Sequence, residues 1–293
     1  MLTAKLARLA PRLGLEADPV GPGAWLLRRR SSAVVTRPLA PKAGAGHLVY
    51  HPRRARRNLP LVQRHVSDFL LEEQVSAILR ELRVNCVLDV GANVGQFGRV
   101  LRHGGFQGRI ASFEPLEEFA TKLRRRAAKD PDWRVHEYAL GDEETTAEIN
   151  ATPGASLSSL LPASEFGKEW SGKLERSVKQ EITIRRLDAV LDEVLDGIAE
   201  PRVYLKLDTQ GYDLLAFRGA GARIPEILAM QSEVSCLPIY EGMPQLEEQL
   251  GEYRSAGFDI AGLYPVSMHR PTLRVLEFDA VLVRKEAFSA SRA

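Results

Sequence analysis

The chain has 293 residues, of which 44% are hydrophobic and 27% charged, with a net charge of +2, a composition that suits a soluble protein with a buried core and excludes a fibre or a wholly disordered chain. No stretch approaches the roughly 20 apolar residues needed to cross a bilayer. The two cysteines, Cys86 and Cys236, supply neither a disulfide framework nor a cysteine metal cluster, so a reducing, cytoplasmic setting is expected.

The first 57 residues hold 12 Lys/Arg against Glu16 and Asp18, which leaves 28 Lys/Arg against 36 acids in the remainder. Pro, Gly, Ala and Arg dominate this stretch without sustained periodicity, so residues 1–59 are expected to form a basic, poorly ordered extension. A basic arm for nucleic acid or an anionic membrane surface is the functional alternative. Residues 2–15 have the makings of a short basic amphipathic helix, interrupted by Pro11.

From Val66 the pattern changes. Val66, Phe69, Leu70, Val75, Ile78, Leu79 and Leu82 recur at three- and four-residue spacing and predict one apolar helical face. The run Cys86-Val87-Leu88 then leads through Asp89-Val90 into Gly91-Ala92-Asn93-Val94-Gly95, the pattern of a buried strand, a tight turn and a helix start. A strand over 109–113, a charged helix over 116–129 and a strand over 133–140 follow, and this βαβα rhythm predicts a parallel sheet covered by helices. Residues 143–180 are less regular and too long for a structureless connector, so they are expected to be a substrate-side insertion or flap.

The rhythm resumes with strands at 182–184, 203–207 and 228–234 and helices at 187–195, 214–219 and 245–256. Two final strands, 258–263 and 275–283, are joined by a loop too short for a crossover helix and must be antiparallel. The predicted fold is therefore α/β, a doubly wound, mostly parallel seven-stranded sheet with an antiparallel C-terminal strand, the Rossmann-like pattern of class I methyltransferases. Its domain spans 60–286, and 287–293 form a tail.

The glycine turn carries the first chemical signal. Gly91 and Gly95 let backbone amides approach a ligand and Asn93 tolerates an unusual dihedral. A dinucleotide site would carry a third glycine here, whereas this chain has Asp89 two residues before the first. A carboxylate at that place repels a pyrophosphate and suits the ammonium and sulfonium of S-adenosylmethionine. Glu114, at the end of the second strand, is positioned to take ribose hydroxyls, followed by Pro115. Ala139, Leu140 and Asp142, around the third strand end, would flank the adenine. Gly91, Ala92, Asn93 and Gly95 complete this expected cofactor site.

At the carboxyl end of the fourth core strand, Asp208 is a candidate base or acceptor-orienting group, with helix capping as its structural alternative. Glu233 stands in an otherwise apolar strand, where an acid needs a partner or a function; Lys206 could pair with it or steer an anionic substrate. Tyr240 and Glu241 are candidate substrate contacts. No metal site is read: the histidines show no ligand spacing, and Asp208 has no convincing set of partner acids.

The segments VLDVGANVGQF (87–97), ASFEP (111–115), LKLDTQGYDLLAFRG (205–219), QSEVSCLPIYEG (231–242) and LEFDAVLV (276–283) together resemble the FkbM family of methyltransferases. The likeness runs over most of 70–285. Gln210 stands where the family commonly has an acid, and Asp213 where it commonly has Glu. The resemblance implies S-adenosylmethionine as cofactor and methyl transfer to a hydroxyl oxygen, often on a sugar, a polyketide or another specialised metabolite. Two rival readings are a nucleic-acid methyltransferase using the basic arm and a non-catalytic cofactor-binding module, the latter kept open by Gln210.

Overall fold

The computed structural model describes residues 10–21, 24–29, 34–39, 46–154 and 156–288. The chain divides into two compact units, residues 1–63 and 64–293. Among the described residues no helix is long and apolar enough to cross a membrane.

In the first unit, β1 (Leu15–Gly21) pairs antiparallel with β2 (Ala24–Arg29), and β3 (Val35–Leu39) with β4 (Gly46–Tyr50). The expectation of an arm without regular structure misses these hairpins. Glu16 lies opposite Arg28 in the β1–β2 register, and the guanidinium pairs with both Glu16 and Asp18. Opposite charges facing across a hairpin favour that register, a signal that overall composition conceals. Ala10–Leu13 form a 3-10 turn, while residues 2–9 of the expected amphipathic helix lie outside the described residues. A short helix, α1 (Pro52–Arg57), follows with Pro52 in its first turn, where a missing N–H costs nothing.

Helix α2 (Leu59–Glu81) buries Leu71, Val75, Ile78 and Leu79, with Leu82 just beyond its end. Val66, Phe69 and Leu70 do not share that face and are exposed, Phe69 by 53%. At about 100° per residue they fall on the opposite side of the helix from Leu71 and Val75. Their three- and four-residue spacing is internally regular but out of phase with the buried row.

The second unit is built on seven strands: β5 (Cys86–Val90), β6 (Arg109–Phe113), β7 (Trp133–His136), β11 (Val203–Leu207), β12 (Ile227–Ser235), β13 (Phe258–His269) and β14 (Arg274–Arg284). Their order is β13-β14-β12-β11-β5-β6-β7. The pairs β12–β11, β11–β5, β5–β6 and β6–β7 are parallel, and β14 runs antiparallel to both β12 and β13. Strands β5 and β11 are buried at every position, as expected for strands covered on both faces. The covering helices include α3 (Gln96–His103), α4 (Glu117–Ala127), α6 (Leu187–Leu195), α7 (Asp213–Arg218) and α8 (Leu246–Ser255).

Two expectations change. The stretch 133–140 breaks into β7 and the short β8 (Ala139–Leu140), and the strand expected at 182–184 is part of β10 (Val178–Arg185), outside the main sheet. With β9 (Thr145–Ala151), these form a separate sheet of order β8-β10-β9 that buries Ile149, Ile182 and Ile184 against Leu116 and Phe119. Between β9 and β10 lie the Ser-rich loop and α5 (Glu165–Trp170), whose Ser164 accepts from the amide of Gly167 as an N-cap. The irregular stretch thus has its own small core.

Candidate active site

A cavity of about 370 Å³ opens at the carboxyl ends of β5, β6 and β11, the rim where open α/β sheets bind ligands. Its floor is the turn after β5. Gly91 has φ +72°, and a Cβ there would stand 1.9 Å from the carbonyl oxygen of Asp208, so the turn can approach the end of β11 only with glycine. Asn93 also has positive φ, and its own Oδ1 accepts from the amide of Val94 at 2.8 Å. Gly95 serves packing: a Cβ would meet Leu123 at 2.6 Å and Trp133 at 3.0 Å.

Glu114 ends β6 and ties the turn to the next loop. Its carboxylate accepts from the amide of Asn93 at 2.8 Å and from that of Leu116 at 2.9 Å. Burial pushes its pKa up to about 7, against the opposing pull of those two amides. Glu114, Pro115, Ala139 and Leu140 line the cavity together with Gly91, Ala92 and Asn93. Leu116 and Phe119 add apolar wall on this side. The arrangement provides an apolar wall with carboxylate and amide groups at its edge, in a cavity within the size range of small-molecule sites.

Asp89 was expected to face the cofactor, but the structure places it a layer behind. Its side chain has 0% exposure and is not among the cavity's lining. Oδ2 accepts from Ser112 Oγ at 3.0 Å, which in turn accepts from Trp133 Nε1 at 3.0 Å. Oδ1 lies 3.3 Å from Lys206 Nζ. Lys206 also lies 3.3 Å from Asp208 Oδ2 and donates to the carbonyl of Gly91 at 3.3 Å. Strand register explains this row, because Asp89 and Lys206 are direct neighbours across β5 and β11. Burial alone would lower the Lys206 ammonium, but Asp208 and Asp89 outweigh it and hold the pKa above the usual lysine value. The partner expected for Lys206, Glu233, is not the one it takes.

Asp208 lines the cavity with its side chain 43% exposed. Gln210, also with positive φ, donates from Nε2 to Asp208 Oδ1 at 3.2 Å and to Glu233 Oε2 at 2.9 Å. Its Oε1 lies 3.0 Å from the Tyr240 hydroxyl, which is also 3.0 Å from the carbonyl of Leu157, two acceptors for one proton. Burial, then the charges of Glu277 and Asp208, push the Glu233 carboxyl well above the usual range. The helix that follows Asp208 has no side-chain cap; Asp213 instead ties the chain after β11 to β12, its carboxylate accepting from Thr209, Ser232 and the amide of Glu233.

Glu233, Tyr240, Glu241, Gly95 and Asp142 do not line the cavity. Tyr240 is buried among Leu174, Ile239 and Met243, Glu241 is exposed, and the carbonyl of Asp142 accepts from Arg186. The lining includes groups the sequence reading did not single out. Arg64, Asp68 and Glu72 come from α2, Ser156 and Ser158 from the Ser-rich loop, and Gln231 and Asp279 from β12 and β14. Asp279 carried a readable signal, an acid flanked by the apolar residues Phe278 and Ala280 and two positions from Glu277; Gln231 lies two residues before Glu233 and so shares its face.

A family model described as the methyltransferase FkbM domain matches residues 89–260. No curated protein matches the chain. Among solved structures, WbdD is 16% identical, with 75% of this chain and 40% of that chain covered and a TM-score of 0.41. Fibrillarin of Aeropyrum pernix, solved with natively bound S-adenosyl-L-methionine, is 11% identical over 71% of this chain and 74% of that one, with a TM-score of 0.38. An rRNA methylase from Streptococcus thermophilus is 10% identical over 69% and 87%, with a TM-score of 0.36.

Proposed function

Because the chain belongs to the FkbM methyltransferase family, with S-adenosylmethionine as its cofactor, we propose that it methylates a hydroxyl oxygen on an uncharged, hydroxyl-rich acceptor such as a sugar or a glycosylated metabolite. When bound, the cofactor supplies a methyl group made electrophilic by its sulfonium. The turn at Gly91–Asn93, the Glu114 carboxylate and the slot of Pro115, Ala139 and Leu140 are the groups that would hold it. The slot's mixture of apolar wall and edge acceptors, within a cavity of small-molecule size, suits an adenosyl group.

The observation that carries the reading is Asp208. It is a half-exposed carboxylate on the cavity wall, fixed through Oδ2 by Lys206 and through Oδ1 by Gln210. A carboxylate held on both sides can orient an acceptor hydroxyl and take its proton at Asp208 as the oxygen attacks. Lys206 positions that carboxylate and, through the Gly91 carbonyl, the cofactor turn. Gln210 couples it to Glu233 and Tyr240, which act behind the cavity as support.

The basic first 57 residues favour a second reading, a nucleic-acid acceptor. Against it, the cavity wall carries Asp68, Glu72, Glu114, Asp208 and Asp279 but only Arg64 and Lys206 as bases, a balance that repels phosphodiesters. Transfer of labelled methyl from S-adenosylmethionine to a panel of neutral glycosides and to RNA separates the two. With an accepted glycoside, Asp208→Asn is expected to lower kcat by about 10²–10⁴ while leaving S-adenosylhomocysteine affinity within a few-fold. Undiminished kcat in that variant would remove Asp208 from the chemistry, and transfer to RNA alone would replace the acceptor class.

A further inference from the structure

With Asp89 walled off, the cofactor's amino-acid end has no partner in the carboxylate the sequence first offered for it. The same cavity holds a different acceptor pair. Gln231 is 4% exposed and lines the cavity, and its Oε1 has no hydrogen-bond donor. The orientation of that amide is fixed, because Nε2 donates to Asp279 Oδ1 at 3.1 Å. A buried carbonyl without a donor costs free energy until something donates to it. Asp279, on the same wall, can only accept when ionised, and among the described residues no ion pair reaches it.

Both cations of the wall are already committed. Arg64 is held by Asp68 at 2.7 Å and donates to the carbonyl of Val266 at 3.2 Å. Lys206 lies between Asp89 and Asp208. What remains on the cavity wall is an acceptor-only pair, an unpartnered amide oxygen and an unpaired carboxylate, among five acids and two bases. The complementary group is compact, cationic and donor-only, which describes a primary ammonium.

We propose that Gln231 and Asp279 form the binding site for the α-ammonium of the cofactor's amino-acid end. An amine on the acceptor would offer the same chemistry. The cofactor is favoured because the pair shares one cavity with Gly91, Asn93 and Glu114. This inference rests on that cavity being the cofactor site and is independent of which atom is methylated.

The test is isothermal titration of the full chain with S-adenosylhomocysteine and, separately, with 5′-methylthioadenosine, which keeps the adenosyl group and lacks the ammonium. In Asp279→Asn and Gln231→Met, affinity for S-adenosylhomocysteine is expected to fall about tenfold or more, with methylthioadenosine affinity unchanged. The preserved second ligand also shows that the variant site is folded. Unchanged S-adenosylhomocysteine affinity in both variants would overturn the assignment and return the pair to the acceptor. Equal loss for both ligands would overturn it as well, showing that the pair supports the fold of the cavity rather than an ammonium. Failure of the hydroxyl-transfer assay would leave either titration result standing.

Discussion

Two halves of one sheet face handle buried acid differently. On β5 and at the end of β11, buried Asp89 and half-exposed Asp208 share Lys206, and Ser112 completes the set. On β12 and β14, Glu233, Glu277 and Asp279 have amide and hydroxyl partners, Gln210, Ser235, Ser267 and Gln231, but no cation at ion-pair distance among the described residues. Burial raises the pKa of acids in both halves: for Asp89 it is opposed by the charge of Lys206 and the Ser112 hydroxyl, while Glu277 is pushed up to about 7 and Asp279 to about 6. The compensated half has the character of a frame that holds the turn and Asp208 in place. The uncompensated half can still gain from a proton or a ligand donor.

Breaking the compensated half should have the largest effect. Lys206→Met leaves Asp89 buried without its counter-charge, and removal of one partner from a buried pair costs about 3–5 kcal/mol. Urea unfolding should show that loss, with Asp89→Asn in the same chain restoring part of it. A loss under about 1 kcal/mol would mean that the two halves do not differ in the way described.

A pH series sharpens the other half. A carboxyl whose folded pKa lies above its unfolded value binds more protons when folded, so its contribution to stability is complete below the unfolded pKa and is lost as pH rises through the folded one. For Glu277 that window runs from about 4.5 to about 7, and Asp279 and Glu114 act in the same direction. Asp130 and Asp188, whose pKa values are lowered by their arginine partners, lose stability only at lower pH. Unfolding free energy should therefore decline between pH 5 and 7.5, by on the order of 2 kcal/mol through Glu277. Glu277→Gln should flatten that slope; an unaltered slope in the variant would assign the decline to other groups.

The smallest effect is expected far from this face. Lys179 and Glu148 pair across β10 and β9 with both side chains more than half exposed, and such pairs are worth little in water. Lys179→Ala should change stability by less than about 0.5 kcal/mol, and a larger change would mean that the small sheet depends on surface charge.

Much of the frame was legible because its signals are local. The run into Gly91 predicted strand, turn and helix from adjacent residues, and the short loop between the last two strands required their antiparallel pairing. Lateral placement was not legible. The strand at 182–184 was recognisable as a strand, but its pairing with β9 and β8 depends on contacts across the sequence. Asp89 was correctly placed beside the turn, yet its depth depends on Lys206 and Ser112 arriving from two other strands. Gln231 and Asp279 lie 48 positions apart and meet only through the β12–β14 register. The phase error in α2, with Phe69 outward and Leu71 inward, shows that periodicity finds a face without saying which face the core will take.

The most direct measurement of the central claim is titration of S-adenosylhomocysteine into the wild-type chain and Glu114→Gln, since Glu114 joins the glycine turn to the cavity edge. Micromolar binding to the wild type, weakened about tenfold or more in the variant, is the result this structure predicts. Equal affinity in both proteins would place the cofactor outside the Gly91–Glu114 cavity and contradict it.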